Sequence, residues 1–287
     1  MTTVTQHVIH RIDKLEIPSF GECIYCGARA DDVELTDEHV VPYSLGGNVV
    51  ILDGSCKKCA SETTKLENEI ARKVLWEFRT HTNAPTRRKK ERPKELPFTY
   101  SIAGGELQTK TVPIADRPFF VPMPVWGPPG LLIGKQPTVE FEHHKAHVFY
   151  TIPPNIKETL GLDDGVLAEI PFPEFRINHS LFARGLAKIA YCDAVIRFGL
   201  HTFRSLAMPD LILGRYPCIP YFVGCKLDDP PPPADRSALH LITVGPEVVN
   251  GVKLLVSNIR LFANSGVENH GPPIYEVVIG APGIGAL

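Results

Sequence analysis

The sequence Cys23-Ile-Tyr-Cys26 is followed 29 residues later by Cys56-Lys-Lys-Cys59, and these two pairs decide the fold of the chain around them. A two-residue gap lets both sulfurs of a tight turn face one ion, and two such turns complete a tetrahedron of thiolates. A segment this small has too little core to hold itself together without such a metal. The four cysteines therefore predict a structural Zn²⁺ site.

The segment between the two cysteine pairs contains a histidine preceded by acids. It reads Thr36-Asp-Glu38-His39-Val-Val-Pro42, and then Leu45-Gly-Gly47. Residues 33–36 and 38–41 are typical of short strands, and we expect them to form a β-hairpin that carries His39 near its turn. Pro42 cannot donate to a strand ladder, so we expect it to mark the exit from the strand.

A helical pattern follows the second cysteine pair. From about Ser61 the residues Leu66, Ile70, Val74 and Phe78 recur at every fourth position and make one apolar stripe. The predicted helix is long for a small zinc-stabilised unit. We therefore expect its distal half to pack on the rest of the chain.

Taken together, Glu38-His39-Val-Val-Pro42, Leu45-Gly-Gly47 and Cys56-x-x-Cys59 before a helix resemble the HNH endonucleases, which have a ββα-metal core. The resemblance is to the branch with four zinc-binding cysteines, and it covers roughly residues 20–80. It implies that His39 is the general base and that Glu38 ligates a catalytic Mg²⁺ or Mn²⁺. It also implies the zinc ligands, which are Cys23, Cys26, Cys56 and Cys59.

These implied roles suit the chemistry of phosphodiester hydrolysis. A neutral imidazole titrates near pH 6.5, so His39 can accept a proton from water at physiological pH. Mg²⁺ and Mn²⁺ prefer oxygen ligands such as the carboxylate of Glu38, and the cation stabilises the leaving oxygen. The zinc bound by four thiolates would be a separate ion with a closed coordination shell.

One position departs from the family pattern. The residue after the last cysteine is commonly an asparagine or a histidine that completes the catalytic metal site, whereas here it is Ala60. Either Ser61, Glu62 or Thr63 substitutes for that ligand, or the site holds its cation weakly. Two interpretations therefore stay open. One is an HNH-type endonuclease that hydrolyses or nicks DNA, and the other is a weakened or inactive zinc-stabilised nucleic-acid-binding protein.

The charge of the chain is unevenly distributed. The 287 residues carry a net charge of −2, so the whole molecule is not a polycation. Residues 56–94, however, contain twelve Lys or Arg and five Asp or Glu, a local excess of seven positive charges. Beside a nuclease-like segment, this excess predicts contacts with a phosphate backbone. The predicted contact residues are Lys57, Lys58, Lys65, Arg72, Lys73, Arg87, Arg88, Lys89 and Lys90.

The pattern predicts an α+β fold in three parts. Residues 1–80 form the zinc-stabilised ββα-metal domain, residues 81–97 a basic linker with three prolines, and residues 98–287 a larger α+β domain of unknown role. We expect this last domain to contain antiparallel strands, including residues 138–142, and one long helix over residues 177–204. The helix cations Arg184, Lys188 and Arg197 are expected to be surface charges.

The chain also indicates where the protein works. It has no basic segment followed by an apolar stretch at its start, and no window approaches about 18 consecutive apolar residues. With seven cysteines in such a chain, we expect a reducing compartment and a cytoplasmic protein without a membrane partner. The expected partner is nucleic acid, most simply DNA, and a homo-oligomer is compatible with the sequence.

Overall fold

A computed structural model describes residues 13–86, 89–142, 145–163, 165–166, 168–171, 174–226, 239–263 and 273–283. The structure is a mixed α+β fold with several antiparallel sheets and few helices, which confirms the predicted fold class. Among the helices of these residues, none has the length and apolarity needed to cross a bilayer.

The N-terminal sheet has three strands in the order β1-β3-β2. These are β1 (Leu15–Ile17), β2 (Leu35–His39) and β3 (Val49–Cys56), and β2 runs antiparallel to β3. The predicted hairpin between residues 33–36 and 38–41 is wrong. The single residue between those two segments cannot form a reversing turn, for which even the shortest common hairpin loops use two residues. The hairpin instead joins β2 to β3 through the loop at residues 40–48.

The predicted helix is present, but it begins earlier and is interrupted. Helix α1 (Lys57–Asn68) starts directly after Cys56 and continues into a π-helical turn (Glu69–Val74), after which α2 (Trp76–His81) follows. The apolar stripe is buried at Leu66, Ile70 and Val74. This stripe packs on the rest of the chain, as predicted.

The middle of the chain forms two small antiparallel sheets. Their orders are β5-β4-β8 and β6-β7. Residues 138–142, predicted as a strand, do not lie in one. The elements are β4 (Glu95–Ile102), β5 (Gln108–Pro113), β6 (Phe119–Val125), β7 (Lys145–Thr151), α3 (Ile156–Leu160) and β8 (Ala168–Glu169).

The C-terminal part combines the longest helix with the largest sheet. This antiparallel sheet has the order β10-β13-β12-β11, and β9 also pairs with β13. Helix α4 covers most of the range predicted for it. The elements are α4 (His179–Phe198), β9 (Phe203–Arg204), α5 (Met208–Ile212), α6 (Ile219–Phe222), β10 (Val223–Lys226), β11 (Leu241–Val249), β12 (Val252–Arg260) and β13 (Ile274–Pro282).

Helix α4 links the N-terminal segment to the C-terminal sheet. It contacts α1 and the π-helical turn on one side and β13 on another, and one hydrophobic core includes residues of all of them. Gly185 permits this approach, because a Cβ there would lie 2.3 Å from Cδ1 of Ile70. The division into residues 1–80, 81–97 and 98–287 stays a prediction.

Candidate active site and metal centre

The first cysteine pair lies on a tight turn. The backbone N–H of Cys23 donates to the oxygen of Ala28 (2.8 Å), and that of Gly27 donates to the oxygen of Cys23 (2.9 Å). Gly27 has a φ of +69°, which residues with a side chain rarely adopt. Glycine therefore allows the turn to close, with Cys23 and Cys26 on it.

The second pair lies where β3 becomes α1. Cys56 is the N-cap residue of α1, and Cys59 belongs to the first turn of that helix. The four sulfurs lie within 4.8 Å of one another, and Sγ of Cys26 is 3.7 Å from Sγ of Cys56. Tetrahedral zinc with bonds of about 2.3 Å separates its sulfurs by about 3.8 Å. The cysteine cluster (Cys23, Cys26, Cys56 and Cys59) thus fits a structural zinc ion.

Burial favours the binding of a cation by the cysteine cluster. It raises the pKa of the Cys59 thiol well above its ordinary value, and the neighbouring sulfurs add to this effect. A buried thiolate therefore needs a compensating positive charge. In the described part of the chain, no other group of three or more His, Cys, Asp or Glu side chains lies close enough to hold a metal ion.

His39 is the last residue of β2 and lies between the two cysteine pairs in the sequence. It pairs with Val50 on β3, and its side chain is half-buried. The centre of its ring is 6.0 Å from that of Tyr43, in the loop that follows. This loop depends on Gly47, since a Cβ there would lie 1.9 Å from the backbone oxygen of Val41. The Gly-Gly sequence therefore fixes the path of the chain just after the histidine.

Glu38 lies inside the protein and has an ion-pair partner from α4. Its side chain is 4% exposed, and Oε1 is 2.8 Å from Nζ of Lys188, which is 1% exposed. The same Nζ is 2.9 Å from Oε1 of Glu67 and also donates to the backbone oxygen of His39. We call Glu38, Glu67 and Lys188 the carboxylate–lysine cluster. The cluster joins β2, α1 and α4 next to the backbone of His39, the candidate base.

The prediction that Lys188 is a surface charge is wrong. Burial by itself would lower the pKa of Lys188, but the negative charges of Glu38 and Glu67 outweigh burial and raise it above the ordinary value. The ammonium therefore stays charged and neutralises part of the carboxylate charge. The prediction is also wrong in part for Arg184, whose half-buried guanidinium donates to the backbone oxygen of Ile212 (2.8 Å). Arg197 is exposed, as predicted.

Further contacts from α4 support the segment that carries the cysteine cluster. The hydroxyl of Tyr191 donates to the backbone oxygen of Ile24 (2.7 Å), within the first cysteine turn. At the start of α4, Oε1 of the buried Glu69 accepts a hydrogen bond from the backbone N–H of Asn178 (3.0 Å). The N-terminal segment is therefore completed by a helix far along the sequence.

The residues after Cys59 do not rebuild the missing ligand as a cluster. Ala60 offers only its backbone oxygen, which accepts a hydrogen bond from the hydroxyl of the buried Thr63 (3.2 Å). Glu62 pairs with Lys65 (2.7 Å). Ser61 is exposed. In the described part of the chain, Glu62 does not join Glu38 and His39 in a metal-binding group of three His, Cys, Asp or Glu side chains.

The predicted nucleic-acid contacts are partly engaged within the protein. Lys73 pairs with Glu69 (2.7 Å), and Lys57 and Lys65 also have carboxylate partners. Lys58, Arg72 and Lys90 are exposed. Arg87, Arg88 and the side chain of Lys89 lie outside the described residues.

Sequence reasoning missed Glu67 and Lys188, although α4 contained a signal for the lysine. The 20 residues of α4 are mostly apolar or small and are distributed around most of the helix, which is typical of a buried helix. A lysine in such a helix has to be paired, because an unpaired buried ammonium is strongly unfavourable. The partner could not be predicted from the same pattern.

Comparison with known proteins supports the geometry of this segment. Residues 23–75 match the family model of the HNH endonuclease. Comparisons with curated proteins and with solved structures give no match. The matched residues include the whole cysteine cluster together with Glu38 and His39, whereas Lys188 lies outside them. Residues 23–75, which we call the family segment, are thus similar to the HNH endonuclease family.

Proposed function

We propose that this protein is an HNH-type metal-dependent endonuclease that hydrolyses or nicks DNA. One observation supports this most directly: the family match covers the same residues whose four sulfurs converge to form the cysteine cluster. Zinc there would join the first cysteine turn to the junction of β3 and α1. This junction is paired with the strand that ends in His39.

In the proposed reaction His39 is the general base. Its imidazole takes a proton from the attacking water, the water oxygen forms a bond to phosphorus, and the bond from phosphorus to the 3′ oxygen breaks. The ring of Tyr43 lies beside the histidine, and β2 holds its backbone. These contacts support the proposal that the imidazole at the end of β2 is the proton acceptor.

Mg²⁺ or Mn²⁺ would supply positive charge to the strained phosphate, and Glu38 is the proposed ligand. The fit to the structure is incomplete, because Oε1 of Glu38 already pairs with Lys188. Magnesium sites commonly use one or two carboxylates together with substrate phosphates and water. A requirement for the cation is therefore part of what the experiment tests.

The exposed cations on α1 and beyond are proposed to bind the phosphate backbone. Lys58, Arg72 and Lys90 are accessible for this, and the exposed pairs of Lys57 and Lys65 can exchange their partners at small cost. Lys73 is exposed as well, although its partner Glu69 is buried. Arg87, Arg88 and Lys89 complete the proposed set. These contacts would position a nucleic acid without reading its sequence.

A second candidate is a zinc-stabilised nucleic-acid-binding protein with weakened or no catalysis. Two observations favour it: Ala60 offers no side-chain ligand, and the carboxylate of Glu38 is already paired with Lys188. Such a protein would keep the cysteine cluster and the basic surface, because neither depends on a second metal. It would bind nucleic acid with a salt-dependent affinity.

The test is nicking of a supercoiled plasmid in Mg²⁺, in Mn²⁺ and in neither, with an RNA substrate in parallel. Wild type is compared with His39→Ala, with Ala60→Asn, and with His147→Ala on β7 as a histidine control. Cutting by wild type and by His147→Ala, but not by His39→Ala, would support the endonuclease. Cutting by Ala60→Asn alone would indicate that the protein keeps the fold of the nuclease but lacks a functional catalytic cation site. Binding without cutting in every variant would support the second candidate.

A further inference from the structure

A cationic cleft lies beside α2, at the end of the family segment. It has a volume of about 280 Å³ and is lined among others by Arg72, Trp76, Arg79 and Arg92. Glu91 is the only acid among the lining residues, so the lining carries a net charge of +2. Among the residues described, none of the three arginines forms an ion pair with a carboxylate. The cleft therefore has positive charge available for an anion.

The arginines are close enough to affect one another. Burial lowers the pKa of Arg79, and the positive charges of Arg72 and Arg92 lower it further. Arg79 is held in place by its own hydrogen bonds, with Nε donating to the backbone oxygen of Ser44 (2.7 Å) and Nη1 to that of Ala71 (2.9 Å). Like charges fixed this near to each other are stabilised when an anion binds among them.

An aromatic face adjoins these guanidinium groups. Trp76 is 37% exposed, while the second tryptophan of the chain, Trp126, is 2% exposed. An accessible indole next to arginines is the combination on which single-stranded nucleic acids are bound, since the ring stacks a base and the cations bind the phosphate. The guanidinium of Arg117, 5.9 Å from the ring of Trp76, lies near it as well.

The cleft is connected to the candidate base through the backbone. Arg79 donates to Ser44, the neighbour of Tyr43, and the ring of Tyr43 lies 6.0 Å from that of His39. The cleft therefore contacts the loop that follows His39. A strand that occupies the cleft would lie against a residue that binds this loop.

We propose that this cleft binds a nucleotide of a nucleic-acid strand, with its phosphate on Arg72, Arg79 and Arg92 and its unpaired base stacked on Trp76. The proposal rests on the endonuclease function and narrows its substrate class. A base within a duplex cannot stack on a side chain, so the preferred substrates are single strands, gaps or junctions. A free mononucleotide carries the same phosphate and base as a strand. The experiment therefore compares the binding of the mononucleotide with that of the strand.

The test uses the fluorescence of Trp76 in the full chain with His39→Ala and without divalent cations, so that no cutting occurs. The protein is titrated with a ten-nucleotide single strand, a blunt duplex of the same sequence, a mononucleotide and inorganic phosphate. We expect the single strand to quench fluorescence at the lowest concentration. Adding Trp76→Phe should abolish the quenching, since the remaining Trp126 is buried.

Charge variants complete the test. Arg72→Ala should weaken binding of the single strand about tenfold, whereas Arg197→Ala, which removes an exposed arginine of α4, should leave it unchanged. Equal quenching by duplex and single strand, a mononucleotide that binds as tightly as the strand, or no effect of Arg72→Ala would overturn the proposal. If wild type nicks plasmid but the single strand causes no quenching in this assay, the proposed nucleotide binding in the cleft is wrong, and the proposed endonuclease activity is unaffected.

Discussion

The cysteine cluster and the carboxylate–lysine cluster hold the same small segment by different means. The first consists of four residues within 37 positions of the chain, and its sulfurs fit a metal ion. The second joins Lys188 to Glu67, 121 positions away, and to Glu38, still further away. Its positive charge is an ammonium from the protein itself. One cluster is thus a local unit, while the other exists only in the complete fold.

This difference teaches that the family segment is not self-sufficient. Zinc binding can organise a short chain, because the binding energy contributes to folding. The buried carboxylate of Glu38 has no cationic partner in the nearby sequence and depends on Lys188 of α4. Removing either support should therefore disturb the region around His39, but by different amounts and with different signatures.

Loss of zinc is expected to have the largest effect. Cys59→Ser removes a buried ligand, and structural zinc in small fingers contributes about 10–16 kcal/mol, as much as the whole stability of a typical domain. We expect the variant to retain no zinc and to lose its native near-ultraviolet circular dichroism. Cys218→Ser, outside the cysteine cluster, is the control and should keep one zinc per chain. A folded, zinc-free Cys59→Ser protein would show that the cluster is not a structural metal site.

Breaking the carboxylate–lysine cluster should have the next largest effect. Lys188→Met leaves Glu38 buried without its cation, which costs about 3–5 kcal/mol. Urea unfolding measures this loss, with zinc content unchanged. Lys65→Met is the control, because its exposed ion pair with Glu62 contributes little. If both substitutions cost the same, Lys188 would not be the partner on which Glu38 depends. Adding Glu38→Gln to Lys188→Met should recover part of the stability.

Acidification should have the smallest effect of the three, and it acts through His240. The ring accepts a hydrogen bond at Nδ1 from the N–H of Phe262 (3.3 Å), so Nε2 carries the proton donated to the oxygen of Leu45 (2.8 Å). Burial lowers the pKa of His240 to about 4, although the hydrogen bond to Leu45 opposes this shift. The folded state therefore requires the neutral ring.

The sign of the pH dependence follows from this lowered pKa. Between pH 6.5 and about 4 the unfolded chain binds a proton that the folded chain does not, so the stability from this group is complete above pH 6.5 and is lost as pH falls. At pH 5 the loss is about 2 kcal/mol. Urea unfolding at pH 7 and pH 5 should show it in wild type, whereas His240→Gln should be less sensitive to pH by that amount. Equal sensitivity would contradict the assignment.

Much of the metal centre could be predicted from the sequence because its chemistry is local. The two-residue gaps place the sulfurs, and Gly47 and Pro42 mark the loop after His39. Where the reasoning failed, the information was also local but insufficient. One residue between two strand-like segments could not form a turn, so residues 35–39, which span that gap, form the single strand β2 with a bulge between Thr36 and Glu38.

The carboxylate–lysine cluster could not be predicted, because no spacing relates its members. Glu67 lies on the charged face of α1 and looks like a solvated residue. The buried character of α4 indicates that Lys188 needs a partner, but it does not identify that partner. Only the docking of α4, in which Gly185 leaves room for the side chain of Ile70, turns these surface-like residues into a buried group. The pairing is a property of the tertiary structure.

The distance between Lys188 and Glu67 in the chain also orders events during protein synthesis. Ribosomes add about 5–20 residues per second, so the 121 positions between them correspond to roughly 6–24 s. During that interval the nascent segment can bind zinc but lacks the ammonium that Glu38 requires. Nascent chains stalled before residue 188 should therefore be cleaved by a protease within residues 23–75, and released chains should resist it. The histidine would thus reach its finished surroundings only after most of the protein has left the ribosome.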